Sequence, residues 1–175
     1  MNRVEQTKAA LDTIFPEDEQ GQNENTQVAA DESVENELQV ERLPGVLVTP
    51  FEKNGSHLDV LCEPSQVVDV AVKLDENDFF LESIAGVDWL KKEQLEIVYD
   101  YARYDHDQCR VTVRTSVPRS KPKVPTISLV IPGANWHERE TFDFYGIIFE
   151  GHPDLTRILL PEDADFFPLL KDYMP

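Results

Sequence analysis

Only two cysteines occur in 175 residues, Cys62 and Cys109, and neither has a second cysteine at Cys-x-x-Cys spacing. This chain alone therefore offers no sequence-readable iron–sulfur or zinc cluster. Each is expected to be a buried free thiol, which behaves as a small hydrophobe, and unpaired thiols fit the cytoplasm. No apolar run approaches the roughly 20 residues that span a bilayer. The opening stretch MNRVEQTKAALDTIFPEDEQ also lacks the uninterrupted apolar core of a secretory signal. GxGxxG, P-loop and GxSxG patterns are missing, which removes motif support for nucleotide binding and serine acyl transfer. Positive charge is scarce: 16 Lys and Arg stand against 34 Asp and Glu, a formal net charge of -18, with no cation between Glu17 and Glu41. Such a surface is a poor match for nucleic acid or anionic lipid and favours basic protein partners.

What is present divides the chain in two. Val4, Ala9, Leu11, Ile14 and Phe15 give residues 2–15 a helical pattern that Pro16 ends. The acidic stretch 17–41 has too little apolar surface to offset its ordering entropy and reads as a flexible linker. Residues 1–42 are thus expected to form a helix plus linker, and 43–175 a folded domain. In that domain GVLVTPF and HLDVLCE read as a hairpin turning at Asn54-Gly55. PSQVVDVAVKL reads as a helix opened by Pro64, with Val67, Val68, Ala71 and Leu74 on one face. FFLESIAGVDW is extended, and Gly86 suggests a bend or bulge. QLEIVYDYARYD and CRVTVRTSV alternate as strands joined by a turn at DHDQ. PRSKPKVP is a basic loop whose Arg119, Lys121 and Lys123 are either a contact point or a solubilising patch. TISLVIPGA is a short apolar run halted at Pro132-Gly133. Frequent hairpins without βαβ alternation predict an α+β fold: one mixed, mainly antiparallel sheet with helices packed on one face, plus an acidic N-terminal extension.

The densest stretch is NWHERETFDFYGIIFEGHPDLTR, 135–157. Asn135 as N-cap with Glu138 three residues on predicts a capping box for a helix over 136–145. Glu138 and Glu140 would sit near its positive end, and Gly146 would close it left-handed. Arg139 and Asp143, four apart, are placed to pair. Trp136, Phe142, Phe144 and Tyr145 make the helix apolar on more than one side, which suits contact with its own sheet and with another chain. His137-Glu138 begins like a zincin motif, but position 141 is Thr rather than the second His. Glu138, Glu140 and Asp143 are candidate acid–base carboxylates, although capping and pairing account for them. His152, before Pro153 and among Glu150, Asp154 and Arg157, reads as a structural histidine in a hydrogen-bonded loop.

Over HERETFDFYGIIFEGHPDLTRILLPED the chain resembles the signature of the 30 kDa subunit, also called the C subunit, of respiratory complex I, the NADH–quinone oxidoreductase. The matching residues are Glu138, Arg139, Glu140, Asp143, Phe144, Tyr145 and His152, followed by Ile158 and Leu159. More loosely the resemblance covers 43–173. It departs at Thr156, where the family commonly has a basic residue before Arg157, and at Leu170, where an arginine is common. The resemblance implies a structural subunit of the peripheral arm, with no catalytic, cofactor-binding or metal-ligating residue of its own. FMN and iron–sulfur clusters would sit in partner subunits, namely the cluster-bearing chains beside the quinone-site subunit. Glu138, Arg139, Glu140, Asp143, Phe144, Tyr145, His152 and Arg157 would organise the motif and its contacts with neighbouring subunits. It implies electron transfer from NADH to quinone linked to proton translocation, and a peripheral place on the cytoplasmic side of the cell membrane, reached only through the complex. Nucleic acid is not an expected partner. The alternative within the same fold is the homologous subunit of an energy-converting hydrogenase, a formate hydrogenlyase or a deazaflavin-dependent dehydrogenase. From other classes come a stand-alone metal hydrolase using His137, Glu138 and His152, and a free acidic adaptor.

Overall fold

A computed structural model of the chain describes residues 2–15, 42–105 and 108–174. The acidic stretch 17–41 and the centre of the DHDQ turn, 106–107, lie outside these residues. Helix α1 spans Arg3–Asp12. It is followed by β1 (Gly45–Val48), the single turn α2 (Phe51–Asn54) and β2 (Leu58–Leu61). Helix α3 (Val67–Asp75) continues a 3-10 turn over Pro64–Gln66. Strands β3 (Phe80–Trp89), β4 (Gln94–Arg103) and β5 (Cys109–Pro118) come next. The chain then forms β6 (Lys123–Pro125), α4 (Ala134–Tyr145) and β7 (Ile148–Glu150). Five strands make one sheet in the order β1-β2-β5-β4-β3, and β6 and β7 pair apart from it. Only the β2–β5 pairing in the large sheet is parallel. The fold is α+β.

Period-two alternation places the core. Leu95, Ile97, Tyr99 and Tyr101 of β4 and Val111, Val113 and Val117 of β5 are fully buried on one face. Leu58 and Val60 of β2 continue that face, and Val67, Val70, Ala71 and Leu74 of α3 belong to the same cluster, whereas Val68 is half-buried. The opposite face is polar. There Asp59 pairs with Arg42 at 2.5 Å and Arg114 at 3.1 Å, and Arg114 reaches Glu96 at 3.7 Å. One apolar and one polar face is the pattern of an antiparallel sheet covered on one side. Helix α1 packs on α3 and β1, and its Leu11, with Phe15 beyond it, is buried in the same core. A capping box opens α1: the Asn2 side chain accepts from the Glu5 N–H at 2.9 Å, and Glu5 accepts from the Asn2 N–H at 3.1 Å.

Two local readings change. The hairpin β1–β2 forms in the register Val48↔Leu58, but Asn54-Gly55 is not its two-residue turn. Gly55, at φ 72°, closes α2 by donating its N–H to the Phe51 carbonyl, because a left-handed glycine ends a helical turn as readily as it makes a hairpin. The register shift in β3 falls between Leu81 and Ser83, not at Gly86. Gly86 instead makes room for Tyr145 of α4: a Cβ there would stand 2.6 Å from that ring. Both thiols are free and buried, and burial pushes Cys62 up to about 12 and Cys109 up to about 11.

Gly86→Ala is expected to destabilise the chain by about 1–3 kcal/mol through overpacking, read from urea unfolding. The same substitution in a Tyr145→Ala background should cost much less, and equal costs in the two backgrounds would overturn the packing account.

Candidate functional site

Helix α4 carries the dense motif and turns most of its charge inward. It begins at Ala134, two residues earlier than the sequence suggests, after Gly133 as an N-cap without a side-chain bond. The expected Asn135–Glu138 capping box does not form. Glu138 is fully buried and points at the segment after β6. Its Oε1 accepts from the Ile127 N–H at 2.7 Å, and its Oε2 bonds the Thr126 hydroxyl at 2.5 Å. Thr126 in turn bonds Ser128 Oγ at 2.7 Å. Ala134, Glu138 and Thr141 share the buried side of α4, so one strand segment and one helix turn meet around a carboxyl. A tertiary donor outcompetes the helix's own cap because a buried carboxyl without partners would be far more costly than an exposed helix end.

His152 closes the other side of this carboxyl. Its side chain is fully buried, with Nε2 3.8 Å from Glu138 Oε2 and 3.3 Å from the Asn135 carbonyl. Nδ1 accepts the Asp154 N–H at 3.0 Å, so the proton of the neutral ring lies on Nε2, facing Asn135 and Glu138. His152 is thus held in a hydrogen-bonded loop, and the helix residue it approaches is Glu138. Burial pushes the Glu138 carboxyl up to about 7, against the bonds from Thr126, Ile127 and Ser128 that favour its charge.

Asp143 makes a second inward site. The expected Arg139–Asp143 pair is absent: Asp143 is fully buried and pairs with Arg157 at 2.7 Å. Its Oδ2 accepts three consecutive backbone N–H groups, Ile158 at 3.1 Å, Leu159 at 2.7 Å and Leu160 at 3.0 Å. Arg157 also donates to the Asp143 and Phe166 carbonyls. Burial raises the Asp143 carboxyl, but the Leu160 N–H, Arg157, and the Leu159 and Ile158 N–H groups outweigh it and hold it below the ordinary value. Arg139 turns instead to Thr156, donating to its carbonyl at 3.1 Å and its hydroxyl at 2.8 Å. The departure at 156 thus gives Arg139 a hydroxyl acceptor that a basic side chain there would not supply.

The remaining predicted residues separate. Glu140 is exposed, with no ion pair to a described residue. Phe144 is half-buried and its carbonyl accepts the Leu169 N–H at 3.3 Å. Tyr145 covers Gly86, and Gly146, at φ 75°, ends the helix against the Phe167 ring. His137 offers its carbonyl to Thr141. Among the described residues no group of three or more His, Cys, Asp or Glu could hold a metal ion.

Sequence reasoning missed Thr126 and Asp88. Asp88 is buried at the end of β3 and binds Arg119 at 3.1 Å and the Lys171 N–H at 2.8 Å, while Arg119 also binds Asp172. Lys123 pairs with Glu150 at 2.8 Å. Two of the three cations in the basic loop thus have internal partners, and only a lone acid at a strand end hinted at the first.

A five-stranded sheet, a helix with inward charge and a pinned C-terminal segment together define an α+β domain. Residues 60–175 match the family described as the respiratory-chain NADH dehydrogenase, 30 Kd subunit. The chain is 43% identical over 135 residues to the NADH-quinone oxidoreductase C subunit of Roseiflexus sp. (strain RS-1), covering 74% of this chain and 76% of that one. It is 41% identical over 92 residues to the F(420)H(2) dehydrogenase C subunit of Methanosarcina mazei, covering 52% and 58%. Among solved structures it resembles a chain of the membrane-bound sulfane sulfur reductase, an archaeal respiratory membrane complex, with TM-score 0.61 and 26% identity, covering 67% and 71%. A trypsin-resistant fragment of Nqo5 aligns with TM-score 0.50 and 34% identity, covering 56% and 82%. This chain belongs to the 30 kDa subunit family of the respiratory-chain NADH dehydrogenase.

Two outcomes follow from the buried carboxyls. The folded chain holds the Glu138 proton more tightly than the unfolded chain, whose value is near 4.5. Its stabilising effect is complete below pH 4.5 and is lost as pH rises through about 7, about 3 kcal/mol in all. Glu138→Gln, which cannot ionise, should therefore gain on the wild type by that amount across this window in urea unfolding; parallel pH profiles would refute the assignment. Asp143→Asn should cost about 3–5 kcal/mol by leaving Arg157 without its counter-charge. It should also expose the segment after residue 157 to limited proteolysis.

Proposed function

We propose that this chain is a structural, cofactor-free subunit in the peripheral arm of a NADH–quinone oxidoreductase. The supporting observation is the family match over 60–175 combined with the inward use of the signature's charges. Glu138, Asp143 and Arg157 serve the fold, and His152 braces the same loop. The motif then acts by presenting a rigid surface, and the electron carriers, FMN and iron–sulfur clusters, reside in neighbouring subunits. The chain stands beside the quinone-site subunit and the cluster-bearing subunits, on the cytoplasmic side of the membrane. No helix among the described residues is long and apolar enough to cross a membrane, which is compatible with a peripheral place reached through partners.

The NADH–quinone reading is preferred to the deazaflavin alternative because the Roseiflexus relative matches over 135 residues and the Methanosarcina one over 92. A tagged chain purified from its native membranes in mild detergent should carry flavin- and cluster-bearing subunits and NADH–quinone activity. Recovery of the chain without any such subunit overturns the reading. An assembly oxidising a reduced deazaflavin but not NADH would transfer the chain to the alternative complex.

A further inference from the structure

Among the 16 cations of the chain, five make no ion pair with a described carboxylate: Lys53, Lys91, Lys92, Lys121 and Lys171. Four of these five gather at one end of the sheet. Lys91 and Lys92 lie in the 3-10 turn Leu90–Lys92 between β3 and β4. Lys121 lies in the turn after β5, where the Arg119 N–H donates to the Glu93 carbonyl at 2.8 Å and joins the two turns. Lys171 reaches the same place because its N–H is held by Asp88, one residue before Trp89. All four are exposed.

Trp89 is the centre of the group. It is 40% exposed, and its indole N–H is tied to Glu96 at 3.0 Å. The ammonium groups of Lys92 and Lys171 stand 5.2 Å and 5.7 Å from its ring centroid, so two cations share one aromatic ring. Beside it a groove of about 420 Å³ is lined by Lys92, Glu93, Gln94, Pro118, Arg119 and Ser120. Of the acids nearby, Asp88 and Asp172 hold Arg119, Glu96 holds Trp89 and Glu150 holds Lys123. Glu93 alone of these makes no ion pair to a described residue.

We infer that this tryptophan–lysine pole is a docking surface for an acidic patch on a neighbouring protein of the assembly. The inference rests on the assignment to a multisubunit complex. Charge complementarity carries it: in a chain of net charge -18, two unpaired cations stand over one exposed aromatic ring and two more lie in the adjoining turns. Tryptophan is also among the residues that most often anchor interfaces. An anionic bilayer fits less well. A flat negative sheet would face the chain's acidic surface as well as four lysines, whereas an acidic patch on a protein can be confined to the lysines. The chain's own acidic stretch 17–41 is the other anion at hand, but it lies outside the span matched to the family, 60–175, which contains the whole pole.

The test uses the complex purified through the tagged chain and, beside it, the full chain alone. Lysine acetylation read by mass spectrometry should label Lys91, Lys92, Lys121 and Lys171 in the chain alone and lose that labelling in the complex. Zero-length carbodiimide coupling should join them to Asp or Glu of another subunit. The double variant Lys92→Glu/Lys171→Glu should release the chain from the complex at lower salt while keeping the wild-type unfolding midpoint. Equal labelling in complex and free chain overturns the surface, as do couplings confined to residues 17–41 or protection that disappears on delipidation alone. A chain that purifies without other subunits overturns the parent assignment instead.

Discussion

The Asp143 carboxylate is the constraint on which the last third of the fold depends. The described residues after β7 form no helix or strand, so they cannot satisfy their backbone groups in a regular ladder. Asp143 accepts three of those N–H groups in a row and Arg157 supplies the counter-charge. Charge-assisted bonds in a buried site are strong, and removing one partner is costly. An irregular segment is thereby attached to a helix as firmly as a strand would be. Asp88 repeats the device at the far end, holding the Lys171 N–H and Arg119.

The crowding of charge in α4 is a consequence of where the helix lies. It faces β3 through Tyr145 and Gly86, the segment 126–128 through Glu138, and the residues 154–160 through Arg139 and Asp143. The two irregular neighbours offer backbone groups without a ladder partner, and each receives charged side chains from the helix. Glu138 and Asp143 are fully buried, and each accepts hydrogen bonds from protein donors.

The strands were legible in the sequence because period-two alternation in β4 and β5 is a local signal that tertiary contacts reinforced. The α3 helix was legible for the same reason, with Pro64 at its start and apolar residues at helical spacing. The cap of α4 was misread. Asn135 and Glu138 have the spacing of a capping box, and so do Asn2 and Glu5, where the box does form. The difference is that Glu5 lies in solvent, where the nearest donor is its own helix, while Glu138 lies beside Ile127 and Thr126. Likewise Arg139 and Asp143 stand four apart on a helix, but each finds a better partner in a loop folded against it.

The sequence by itself determined the α+β class, the extent of the sheet, the closing glycine of α4 and the family, since periodicity, left-handed closure and a long signature are properties of consecutive residues. Only the tertiary structure decided which charge meets which. Thr126, Arg157 and Asp88 lie 12, 14 and 83 residues from Glu138, Asp143 and the Lys171 N–H, and no local rule pairs groups so far apart. Their pairing follows from desolvation: once packing buries a carboxyl, the donors buried with it become its partners.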